Sequence, residues 1–208
     1  MSAKRFFVTA LAIVTLLAAS AVGQKNEVSG LIGRTFISDQ GVPGTNFFDN
    51  VIHFGNATSF EANFARQLWS SDFARLSAEF PLVFDLDEDL NFGQNVIPQG
   101  YNAFFLTPAA RLNLFPNTLV SPWVSFGGGW AHFGENSILL FGGKNPGKTG
   151  TNTGALQGGV GLDVRLWRQL SARVGARDFW SGLPNLNVNT GKSHQHNIFV
   201  GGGLVWQF

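Results

Sequence analysis

Few side chains in this sequence could do covalent chemistry, and most of those lie together near its end. Ser193-His194-Gln195-His196 puts a hydroxyl beside two imidazoles, with Arg177 and Asp178 upstream. An imidazole next to a hydroxyl can take its proton and make it a nucleophile, so hydrolysis is the chemistry to consider. No hydrolase signature aligns with this order and spacing, and histidine is common in polar loops. Asp85, Asp87 and Asp89 alternate ahead of Asn91 and Gly93, which imitates the first ligands of a calcium loop. Leu90 stands where that loop needs glycine and Val96 where it closes on glutamate. The three carboxylates are therefore candidate metal ligands on an incomplete motif, and a solvated acidic loop is the alternative. Gly147-Lys148-Thr149 lacks the upstream glycine spacing and the following helix of a phosphate-binding loop. There is no cysteine, which excludes disulfides and thiolate chemistry. No cofactor is implied.

A larger set of charges has a different arrangement. Glu61, Arg75, Glu79, Arg111, Asp163, Arg165, Arg173 and Arg177 all fall on the polar side of segments that alternate with period two. Gly154, Leu156, Gly158, Val160, Leu162, Val164 and Leu166 make one face of such a segment, and Ala155, Gln157, Gly159, Gly161, Asp163 and Arg165 the other. A strand turns successive residues to opposite faces, so one face is hydrocarbon and glycine and the other polar. Similar segments start near Glu27, Phe60, Ala74, Phe104, Val124, Leu170 and Asn197. In the first of them Val28, Gly30 and Ile32 are expected outward. Eight strands result. Short links fall at 67–72, 115–119 and 167–169, and long ones at 38–57, 83–99, 134–152 and 181–196. Pro108 and Pro122 cannot donate to a ladder and are expected near a bulge or a strand end.

Composition says what the apolar faces meet. Only 13% of the 208 residues are charged, about half the roughly 25% of an average soluble domain, and the mean hydropathy is +0.08. Past the first two dozen residues no apolar run approaches the ~20 needed for a spanning helix. Strands with one face against lipid, closed so that no edge is left, satisfy both facts. A soluble ligand-carrying barrel would need a charged exterior that this composition does not supply. Lys4 and Arg5, the apolar stretch from Phe6 to Ala19 and the small residues after it form a secretory leader over residues 1–23, cut after Ala21 or Gly23. Gln24, not cysteine, rules out a lipoprotein anchor. The net charge is +1 with the leader and −1 without it (12 basic against 13 acidic residues), so nucleic acid is not an expected partner. Aromatics are expected at two interfaces. Trp69, Phe115, Trp123, Trp167, Trp206 and Phe208 would form the periplasmic girdle, and Tyr101, Phe104, Trp130, Phe133, Phe179 and Trp180 the outer one.

The sequence stops on Val200-Gly-Gly-Gly-Leu204-Val-Trp206-Gln-Phe208, with Leu204, Trp206 and Phe208 on one face and an aromatic last. Together with Arg173-Val-Gly-Ala-Arg-Asp-Phe-Trp180, this resembles the OmpA/OmpX-like outer-membrane β-barrel families, in particular stand-alone barrels with no periplasmic domain. Gly202 departs from the larger apolar residue usual in the terminal strand. The resemblance implies an eight-stranded antiparallel up-and-down transmembrane barrel over residues 24–208. It also implies periplasmic termini, extracellular long loops, outer-membrane lipid as surroundings, and Leu204, Trp206 and Phe208 as the signal read by the barrel-assembly machinery. A barrel of that size is filled by its own side chains, so the interior charges are expected to pair. The function expected is structural or one of surface interaction, without enzymatic activity. A narrow pore or carrier of small or apolar ligands is the alternative, and a lipid-modifying enzyme with its site at the rim is the second.

Overall fold

The computed structural model describes residues 26–44 and 50–208; the leader assignment lies outside them. Eleven antiparallel strands follow one another: β1 (Asn26–Ile37), β2 (Gln40–Gly41), β3 (Val51–Phe54), β4 (Asn56–Ser70), β5 (Ala74–Asn91), β6 (Gly100–Leu106), β7 (Ala109–Leu114), β8 (Val120–Glu135), β9 (Thr151–Arg165), β10 (Leu170–Gly182) and β11 (His194–Gln207). They reduce to eight staves. β6 and β7 are one stave, since both pair β5 on one side and β8 on the other. β2 and β3 form a small hairpin that pairs with the far end of β5, and Gln40 Nε2 also donates to Gln195 Oε1 on β11 (3.0 Å). β1 pairs both β4 and β11, so the sheet closes on itself and its staves leave no open edge.

Prolines set the one break in a stave. Pro108 falls in the gap between β6 and β7, as its missing N–H requires. Pro81, in mid-β5, sits beside the same gap, where its carbonyl accepts from Thr107 N (3.4 Å). Pro122 is the third residue of β8. The largest difference in extent is in β5, which continues to Asn91 where a loop from residue 83 was expected; β2 and β3 fall within the expected link 38–57, and β4 runs to Ser70, into the expected link 67–72. Leu86 and Asp87 are both exposed there while Asp85 and Glu88 are buried, and a register shift between Asp85 and Glu88 accommodates the broken alternation.

The end that carries Asn26, Phe208 and the short turns is here the lower end, and the opposite one the upper. Val28, Ile32, Phe60, Phe80, Val124, Phe126, Leu156, Val160, Leu162, Val174, Val200 and Leu204 are exposed on the outside, as the alternation requires. The aromatic girdles are thinner than expected. Trp69, Phe115, Trp167, Trp206 and Phe208 are exposed at the lower end, and Trp130 and Trp180 at the upper end. Trp123, Tyr101, Phe133 and Phe179 are buried. Each shares parity with an inward-facing neighbour on its strand (Ser125, Ala103, Ala131 and Arg177), and the pleat decides direction before interface preference can.

Candidate functional site

The interior has two layers. In the lower one, charges on six staves meet. Arg177 on β10 lies between two carboxylates. Its Nε and NH2 donate to Glu61 on β4 (2.9 and 3.0 Å), and its NH1 donates to Glu79 on β5 (2.7 Å). Arg173, two inward positions below, grips Asp163 on β9 with two bonds of 2.6 and 2.8 Å. Glu27 on β1 joins Arg173 to Arg111 on β7, at 2.9 and 2.8 Å, and Arg111 reaches Glu79 at 3.3 Å. The Trp123 ring lies against Arg173 and Arg177, with centroid distances of 5.4 and 5.2 Å, so each cation also meets an aromatic face. The ring fits because Gly161 and Gly175 pass close beside it; a Cβ on either would come within 2.7 Å of the indole. With every carboxylate paired with guanidinium, this layer is a cross-brace of ion pairs, those of Glu61, Glu79 and Asp163 being charge-assisted hydrogen bonds.

The upper layer is apolar, built from Val83, Phe105, Phe133, Phe179 and Phe199, with Phe105 stacked on Phe179 at 4.6 Å. Its carboxylates have no basic partner among the described residues. Asp85 accepts from Thr35 Oγ1 (2.6 Å), Glu88 from Ala57 N (3.2 Å), and Glu135 from Thr151 Oγ1 (2.6 Å) and Asn185 N (2.7 Å). Glu88, Tyr101 and Glu135 are direct cross-strand neighbours. Above them the long connections form a lid. Phe92, Ile97, Leu186, Val42 and Ile52 are buried in it. The segments 92–99, 136–150 and 183–193 bond to one another through Leu140 N to Ile97 O (3.1 Å) and through Asn187 Nδ2 to Val96 O (3.1 Å) and Asn145 Oδ1 (2.8 Å).

Of the eight expected interior charges, Glu61, Arg75, Glu79, Arg111, Asp163, Arg173 and Arg177 are buried inside. Arg165 is not. It is the last residue of β9, exposed, and bonded to Asn117 O and Pro116 O of the neighbouring turn, because alternation loses its meaning where a strand ends. Asp85, Asp87 and Asp89 do not form a calcium loop. They lie on a strand, with Asp85 buried and the other two exposed, and no group of three acidic or histidine side chains among the described residues could hold a metal.

The rim residues separate as well. Ser193 Oγ meets His194 Nδ1 (2.9 Å), and Asp178 Oδ2 meets His196 Nδ1 (2.7 Å), while Arg177 points inward. A nucleophile relay needs one imidazole touching both hydroxyl and carboxylate, and here two imidazoles divide the task. Glu27, Glu88 and Glu135 were missing from the expected interior set. Glu27 lies in the strand with the least regular pattern, Glu88 follows the bulge, and Glu135 is the last residue of β8.

No family model matches the chain, and no curated protein does. Solved structures do. Ail, the attachment invasion locus protein of Yersinia pestis, superposes with a TM-score of 0.50 and 12% identity, over 90% of this chain and 100% of that one. Neisserial surface protein A gives 0.51 and 11% over 89% and 97%. The outer membrane protein OprG from Pseudomonas aeruginosa gives 0.52 and 11% over 89% and 96%. This is the fold of the small outer-membrane β-barrels. At these identities the likeness carries architecture alone. It agrees with the closed antiparallel barrel and its apolar outer wall.

Proposed function

We propose that the protein is a closed, non-conducting and non-enzymatic barrel of the outer membrane that displays its upper lid for contacts at the cell surface. The observation that carries this reading is the filling of the interior from end to end, by cross-braced charges below, packed aromatics above and a mutually bonded lid on top. In this orientation the lower end faces the periplasm. The leader over residues 1–23, the barrel-assembly machinery and outer-membrane lipid belong to the same proposal. Ail was solved with a heparin analogue, sucrose octasulfate, which makes surface contact a use this fold can serve.

An epitope inserted after the exposed Lys148, in the segment 136–150, tests the display. Antibody should label it on intact cells, whereas labelling only after the outer membrane is opened would reverse the orientation. The same preparation, refolded into a planar bilayer, should give no current steps. Discrete steps would transfer the assignment to a narrow pore.

A further inference from the structure

One guanidinium in the lower layer has no acidic partner among the described residues. Arg75 on β5 is only 9% exposed, yet it makes no ion pair with any described residue, and its Nε has no hydrogen-bond partner. The nearby carboxylates are already occupied: Glu27 by Arg111 and Arg173, and Asp163 by Arg173 and Asn113. Asp72, on the adjacent turn, accepts from Asn117. Arg75 lines a narrow, partly open pocket at the lower mouth, together with Arg165, Arg168, Ser121, Ser171 and the already paired Asp163. It also lines a second, smaller pocket beside it, where the buried Asn26 Nδ2 is likewise without a partner among the described residues. A buried cation that keeps its charge needs an anion or water at its donors, and a planar guanidinium suits the paired oxygens of a carboxylate or phosphate.

We propose that the lower mouth is an oxyanion site. A phosphate or carboxylate group enters the larger pocket and accepts hydrogen bonds from Arg75, with Arg165 and Arg168 supplying positive charge at the entrance and the Ser171 hydroxyl a further donor. The narrowness of the pocket favours the anionic end of a larger molecule over a bulky ligand taken in whole. The site is independent of what the upper lid contacts.

The test uses the refolded protein in zwitterionic detergent, titrated calorimetrically at constant ionic strength with inorganic phosphate and, separately, with acetate. Vesicles with and without a phosphatidylglycerol fraction then tell a lipid headgroup from a free anion. Phosphate should bind at one site. Arg75→Gln should weaken it at least tenfold, Arg168→Gln by a smaller factor, and Lys148→Gln in the upper lid not at all. Arg75→Lys, which keeps the charge but loses the fork, should fall between wild type and Arg75→Gln and serves if the glutamine variant does not refold. No phosphate or acetate binding by the wild type would overturn the proposal. So would affinity unchanged in both Arg75 variants.

Discussion

Arg177 and Arg75 are both buried arginines on inward positions, and the difference between them is the number of carboxylates each touches. Removing Arg177 leaves Glu61 and Glu79 without their principal cation inside the barrel. Arg177→Met should therefore cost about 3–5 kcal/mol, as other broken buried pairs do. Arg75→Met removes a charge that no carboxylate bonds, and should shift stability little in either direction. Urea unfolding of refolded protein, followed by Trp fluorescence, would compare the two; equal losses would mean that the ion pairs do not brace the barrel. The sequence allowed this layer to be read far better than its pairings. Alternation marks Glu61, Glu79, Arg111 and Arg173 as inward, but which carboxylate meets which guanidinium depends on stagger between staves. The Glu27 bridge, for example, spans β1, β7 and β10.

At the scale of a strand, β9 gives the cleanest test of the outer wall. Val160 lies midway between the levels of Trp130 and Trp167, on the apolar face. Val160→Arg should destabilise by about 2–4 kcal/mol, and Leu166→Arg, near the lower girdle, by roughly 0–1 kcal/mol. Unfolding midpoints in lipid vesicles would show the gradient, and equal costs would remove the depth assignment. Phe208, exposed below Trp206 on β11, should matter in cells rather than in detergent. Phe208→Asp is expected to lower the amount of folded protein in outer membranes several-fold while leaving refolding in vitro nearly intact. Normal outer-membrane levels would remove the proposed assembly role of Leu204, Trp206 and Phe208. Strand ends were the least legible elements. Asp85 and Glu88 look like loop residues because they are acidic, but each finds an inward donor, Thr35 and the Ala57 amide, that the pairing of β1, β4 and β5 brings near. Trp123 and Tyr101 were misplaced for the converse reason, since their chemistry suits an interface and their parity does not.

For the whole molecule, strand number, the inside and outside faces and the alternation of short and long links were all visible in the pattern. The lid was not, because its bonds join segments such as 92–99 and 183–193 that share no periodicity. The join between β1 and β11 has a kinetic consequence. Asn26 and Phe208 exchange backbone hydrogen bonds of 2.7 and 2.9 Å, so the barrel shuts only when residues some 180 positions apart find one another. Every other pairing between adjacent staves is a hairpin. Contacts of such sequence separation make closure slow, because chain entropy is lost before they form. Connecting Asn26 to Phe208 by a turn of about four residues and opening the chain at 166–169 would turn the join into a hairpin, lowering its closure cost by roughly 3 kcal/mol. The new distant pairing would then be that of β9 with β10. If the join limits the rate because of its glycines, Gly201, Gly202 and Gly203, which offer no side chains to hold the strands in contact, the permutant should refold faster than the parent in stopped-flow mixing with vesicles. If separation alone limits it, the two rates should coincide, the delay having moved to a different pair of staves.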